Sequence, residues 1–156
     1  MECTLSEKLA ITSESIVDLT GGITGKRVDM SVGYRLGIVI DTVTAAADLV
    51  VDLEQHDAAA GGTSKALSIS HVYYAKVGAE TKFTKKDFIG STITDATLNG
   101  AKGMVVVEVM AEELDRDNGF THVSINFTQG AVARNAAVIY ELHNLRSEPG
   151  YSQDLA

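Results

Sequence analysis

Leu49-Val50-Val51-Asp52-Leu53-Glu54-Gln55-His56 is the stretch whose reading decides the fold. Leu49, Val51, Leu53 and Gln55 share one side of an extended segment, and Val50, Asp52, Glu54 and His56 share the other, so the apolar period is two. Such a strand starts buried on both sides and ends in water. It runs into Asp57-Ala58-Ala59-Ala60-Gly61-Gly62-Thr63-Ser64, after which Leu67, Ile69 and His71 alternate with Ser68 and Ser70. Paired glycines between two alternating segments predict a hairpin.

The same period extends outward. Leu36 to Ile40, Met104 to Val109, His122 to Phe127 and Ala137 to Leu142 are strands bounded by turn residues. Val28, Met30 and Val32 alternate with Asp29 and Ser31, which predicts a half-buried strand broken at Gly33 and resumed over Tyr34 to Thr42. Gly37 inside that run predicts a bulge or a close backbone approach. Ala111 to Asp115 reads as a single helical turn or tight corner, and Asp117-Asn118-Gly119 as a turn before Phe120. The last strand spans Val132 to Leu142, and the single proline, Pro149, lies beyond it, where it breaks no ladder. About eight such strands at spacings near 8 to 12 residues predict an all-β, antiparallel two-sheet sandwich of jelly-roll type over residues 26–148. Residues 1–25 read as an N-terminal arm and 149–156 as a tail.

At 156 residues the chain fits one domain with a substantial core. One cysteine, Cys3, forms no internal disulfide, and no cationic neighbour in sequence activates it. The net charge of −8 argues against nucleic acid as a partner, because phosphate binding needs a basic face. No apolar run approaches the roughly 18 residues of a membrane span. The first residues lack the basic and apolar regions of a signal peptide, so the expectation is a soluble intracellular product at the time of folding.

Chemistry-bearing patterns are absent. His56 beside Asp57 and His143 near Glu141 have neither HxH nor HExxH spacing, so neither a metal nor any other cofactor is expected. No GxSxG elbow accompanies the serines and histidines. Gly21-Gly22-Ile23-Thr24-Gly25 and Gly61-Gly62-Thr63-Ser64-Lys65 lack the phosphate-loop spacing and a following helix, which leaves turn glycine as their reading. The chain is therefore read as a non-enzyme whose function lies in surfaces.

The strongest local charge asymmetry lies at Tyr73 to Lys86. There Tyr73, Tyr74 and Phe83 interleave with Lys76, Lys82, Lys85 and Lys86 in an otherwise acidic chain. Tyr73, Tyr74, Lys82, Lys85 and Lys86, together with Leu5, Leu9 and Ile11 of the arm, are the candidate protein-interface residues. A carbohydrate-binding reading would use Tyr34, Tyr73 and Tyr74 for stacking, although tryptophan is absent.

Three stretches carry a family resemblance. Leu49 to Ala58 with its Gly/Thr loop resembles a hairpin of small β-sandwich proteins encoded among tailed-phage head genes. Val105-Val-Val-Glu-Val-Met-Ala-Glu-Glu-Leu-Asp115 followed by Phe120-Thr-His-Val-Ser-Ile-Asn-Phe127 is similar to their strand, corner, strand unit. Ala137-Val-Ile-Tyr-Glu-Leu-His-Asn-Leu-Arg-Ser-Glu-Pro149 looks like their closing strand and Arg-containing tail. The resemblance implies a virion protein that decorates or stabilises a capsid by bridging major capsid protein subunits, as a homo-oligomer, trimer or dimer. A head-tail connector or tail subunit is the related alternative.

Overall fold

The computed structural model describes residues 9–16, 19, 22–128 and 134–143. These form twelve strands: β1 (Leu9–Ile16), β2 (Ile23–Thr24), β3 (Val28–Asp29), β4 (Arg35–Thr42), β5 (Leu49–His56), β6 (Ser64–Ala66), β7 (Val72–Val77), β8 (Thr84–Asp87), β9 (Thr92–Asp95), β10 (Gly103–Met110), β11 (His122–Phe127) and β12 (Ala136–His143). Every pairing between them is antiparallel. The first sheet runs β1-β12-β4-β10-β7-β8. The second runs β2-β11-β5-β6, with β3 also on β11 and β9 also on β5. The protein is thus an all-β two-sheet sandwich.

The two inward faces account for this packing. Leu36, Ile38 and Ile40 of β4, Val105, Val107 and Val109 of β10, and Val138, Tyr140 and Leu142 of β12 are buried on the first sheet. Leu49, Val51 and Leu53 of β5 with Val123, Ile125 and Phe127 of β11 oppose them from the second. Each such side chain contributes roughly 1.5–3 kcal/mol by leaving water. The chain changes sheets at eight of the eleven connections between these strands, so the two layers are built together from interleaved segments.

Several expectations are corrected. Residues 9–16 lie within the expected arm, yet they form β1, which pairs along its whole length with β12 from Leu9↔His143 to Ile16↔Ala136. The arm reading failed because Ala10, Thr12 and Glu14 carry too little apolar character to show a period of two. Met30–Val32 is a 3-10 turn instead of strand, capped by the Asp29 side chain, which accepts from the Ser31 amide at 2.7 Å. Gly37 makes no bulge; it sits in register with Glu108 and Glu141. The Ala111–Glu113 turn and the Arg116–Asn118 turn ending at Gly119 (φ 83°) match the sequence reading. The proposed tail, 149–156, and Leu5 lie outside the described residues.

Both open sides of the sandwich are fastened by a carboxylate. On one, Glu14 of β1 accepts from the Tyr140 hydroxyl and from the Lys26 amide, while Lys26 Nζ reaches Thr12 Oγ1 at 3.0 Å. On the other, Lys86 of β8 pairs with Asp95 of β9 at 2.7 Å. The first clasp requires Gly25: a Cβ there would stand 2.4 Å from the Ile125 carbonyl oxygen and 3.0 Å from both Glu14 Oε1 and the Tyr140 hydroxyl. Gly25→Ala is expected to destabilise the fold by about 1–3 kcal/mol through overpacking, read as a lower urea midpoint.

Candidate interaction surface

The hairpin β7–β8 splits the basic and aromatic residues between two faces. Tyr73 points inward: it is 6% exposed, belongs to the core and meets Phe88 edge-on at 6.0 Å between ring centroids. Lys86, opposite it in register, also turns inward. Its ammonium lies 2.7 Å from Asp95 Oδ2 and 3.0 Å from Thr97 Oγ1. These two residues therefore leave the candidate surface, because the strand period that exposes their neighbours buries them. Burial and the adjacent Asp95 charge push the Tyr73 hydroxyl up to about 12. Asp95 itself is buried, which by itself would raise its pKa; hydrogen bonds from Lys86 and Thr97 overcome this and hold it below the ordinary value.

Tyr74, Lys76, Lys82, Phe83 and Lys85 remain outside. Phe83 is 41% exposed, and Lys76 Nζ stands 5.4 Å above its ring. Lys85 pairs with Asp87 at 3.7 Å, but both side chains are largely in solvent, so the pair adds little stability. Ile11, on the opposite edge strand, is 51% exposed. Leu9 is placed by its backbone pairing with His143.

The registers align these positions across the sheet. Ser13, Ile139, Val39, Val106, Tyr74 and Lys85 occupy one outward row from β1 to β8. Its four middle residues are apolar, on the side facing away from the core. Beside that row lie Ala137, Asp41, Met104 and Lys76, again in register.

The outward face of the second sheet is different in kind. His56 closes β5 on that face yet is 1% exposed. Its Nε2 lies 2.7 Å from Ser124 Oγ, and its Nδ1 has no partner among the described residues. Arg27 donates to the Ala58 and Gly61 carbonyls, and Asp57 caps the Thr63 amide, which fixes the turn that follows His56. Burial lowers the His56 pKa, as do the Arg27 and His122 charges, against opposing effects from Glu54 and Asp57. The sequence reading placed His56 at the wet end of its strand and missed its burial.

The remaining histidines are held singly. His71 contacts the Glu108 carbonyl and Glu113, His122 contacts Thr121 Oγ1, and His143 contacts Glu141. Among the described residues no three His, Cys, Asp or Glu side chains converge as a metal site would need. A depression of about 350 Å³ is lined by Tyr34, Met110, Ala111, Glu112 and Arg116. There the Arg116 guanidinium is committed to the Ala111 and Met30 carbonyls. Of the three tyrosines proposed for sugar stacking, Tyr73 is in the core, so Tyr34 and Tyr74 do not form a platform with it.

No protein-family model matches the chain, and no curated protein matches it. Among solved structures, the SPBc2 prophage-derived protein YomS is similar at 14% identity and a TM-score of 0.44, covering 91% of this chain and 97% of that one. Bacillus endospore appendages, described as disulfide-linked pili, are similar at 10% identity and a TM-score of 0.24, covering 92% and 97%. The infectious bursal disease virus VP2 subviral particle follows at 11% identity and a TM-score of 0.25, covering 92% of this chain and 43% of that chain.

Two outcomes test the geometry. Lys86→Met strands the buried Asp95 charge and is expected to cost about 2–3 kcal/mol, most of which returns in the Lys86→Met/Asp95→Asn double variant, measured by urea unfolding. His56 has a folded pKa below its ordinary 6.5, so as pH falls through that value the unfolded chain takes up a proton that the folded chain refuses. Stability should therefore drop between about pH 7 and pH 5, and His56→Gln should flatten that slope.

Proposed function

We propose that this chain is a non-enzymatic structural protein of a tailed-phage virion, seated on the capsid and bridging neighbouring major capsid protein subunits. The observation that carries the reading is the β7–β8 hairpin. It presents Lys82 and Lys85 with Tyr74 and Phe83 to solvent from a chain of net charge −8, and the buried Lys86–Asp95 pair fastens it to the second sheet. A rigid, locally basic and aromatic edge on an acidic body suits contact with a protein lattice. The resemblance of residues 49–58, 105–127 and 137–149 to head-gene sandwich proteins supports the same reading.

Under this proposal the partners are the major capsid protein and further copies of the chain, and the protein resides on the virion surface. Repetition over a symmetric shell lets modest contacts sum. Purified protein mixed with empty shells stripped of it is expected to pellet saturably at a fixed ratio to the major capsid protein. Lys82→Glu at the hairpin end should weaken pelleting several-fold without moving the unfolding midpoint. Absence of pelleting, with a ring-sized free species, would overturn the decoration role in favour of a connector.

A further inference from the structure

The loop that follows β5 is held over the second sheet by few contacts. Ala59 to Thr63 are exposed, so the loop buries little apolar surface of its own. Its grip is the Ala58 and Gly61 carbonyls, which accept from Arg27 Nη1 at 2.8 and 2.7 Å. A closing pair completes it: Asp57 Oδ1 accepts from the Thr63 amide, and the Thr63 carbonyl accepts from the Asp57 amide. Val28 faces the core and pairs with Val123, so Arg27 beside it lies outward, on the side of β11 away from β5. To reach the loop after β5, the Arg27 side chain crosses the outward surface where His56 and Ser124 meet. Those two residues are 1% and 0% exposed.

Neutral His56 fits beneath this cover and its imidazolium does not. Nε2 lies 2.7 Å from Ser124 Oγ, a contact that serves either neutral tautomer, while Nδ1 is buried with no partner. The protonated ring carries an N–H on both nitrogens, which leaves the Nδ1 proton without an acceptor. The charged groups around the ring do not supply one. From β5, Glu54 lies 4.0 Å from Nε2, the nitrogen already engaged, and Asp57 is spent on the Thr63 amide. From β11 comes His122, in register with His56, and from the β3 side come Arg27 and Asp29, the latter committed to the Ser31 amide. Ser64 of β6, opposite the ring, is uncharged. We propose that loop 57–63 is an acid-released strap: a proton taken up by His56 lifts the loop and the Arg27 side chain off the outward face, admitting water to the ring, while the two sheets stay paired. Segments with so little burial open at far lower cost than a core ladder. In the open form the ring titrates near its ordinary value of about 6.5, so each pH unit below that raises the open population about tenfold, until the closed form itself takes the proton. The stability lost on acidification is then limited to the cost of lifting the strap. The device is independent of the capsid reading.

Amide hydrogen exchange of the full chain, corrected for the pH dependence of the intrinsic rate, tests it. From pH 6.5 to 5.5 the protection of the Asp57 and Thr63 amides should fall about tenfold, while the β10 amides of Val105 and Val107 keep theirs. His56→Gln, which can still hydrogen-bond Ser124 but does not titrate, should abolish that fall, and His122→Gln should retain it. Arg27→Met should leave the strap unprotected already at pH 7.5, with the His56 ring, followed by NMR, titrating near 6.5. Strap protection that does not change with pH, a loss that persists in His56→Gln or vanishes in His122→Gln, or a loss shared by the β10 amides would overturn the proposal. So would an Arg27→Met chain whose strap stays protected, which decides the matter even where His56→Gln does not fold.

Discussion

The Asp95 carboxylate is the constraint around which the hairpin side of the molecule is arranged. A two-layer sandwich leaves its sides open, and β8 and β9 are four-residue strands with little apolar surface of their own. What joins them across the layers is a fully buried carboxylate held by the Lys86 ammonium and by the Thr97 amide and hydroxyl. An unpaired charge in that position is costly, so the pair sets the registry of β8 even where it adds little net stability. Because strand neighbours alternate, fixing Lys86 inward also fixes Lys85 outward. Glu14 serves the opposite side, where it joins β1, Tyr140 and the Lys26 amide.

The outward faces diverge from this common core. On the second sheet, His56 and Ser124 are buried polar groups beneath a turn that Arg27 ties down. On the first sheet, the outward row is apolar in the middle and polar only at its ends. The two outward faces thus differ in kind: one buries the polar pair His56 and Ser124, and the other carries a row of partly exposed apolar side chains.

The sequence reading succeeded where burial on one side produces clean alternation. β5, β10, β11 and β12 were legible from Leu49, Val105, Val123 and Val138 and their alternating neighbours, and the corner at Ala111–Glu113 from its turn residues. It failed where pairing is set by polar groups. β1 looked like an arm because Thr12 and Glu14 face inward only by virtue of Lys26 and Tyr140, which lie 14 and 126 residues away. Arg134, buried against the Ala45, Ala47 and Leu98 carbonyls, gave no signal for the same reason.

The sequence by itself determined the class of protein: period-two apolar segments and glycine turns bury their residues only by pairing and stacking, so an antiparallel all-β sandwich follows from local chemistry. It also located the basic and aromatic segment at Tyr73 to Lys86. Tertiary structure alone decided which half of that segment is surface, since Tyr73 and Tyr74, or Lys85 and Lys86, are adjacent in the chain and equivalent in composition. The layer they pack against, and the buried Asp95 carboxylate waiting there, turn one member of each pair inward and leave the other facing outward.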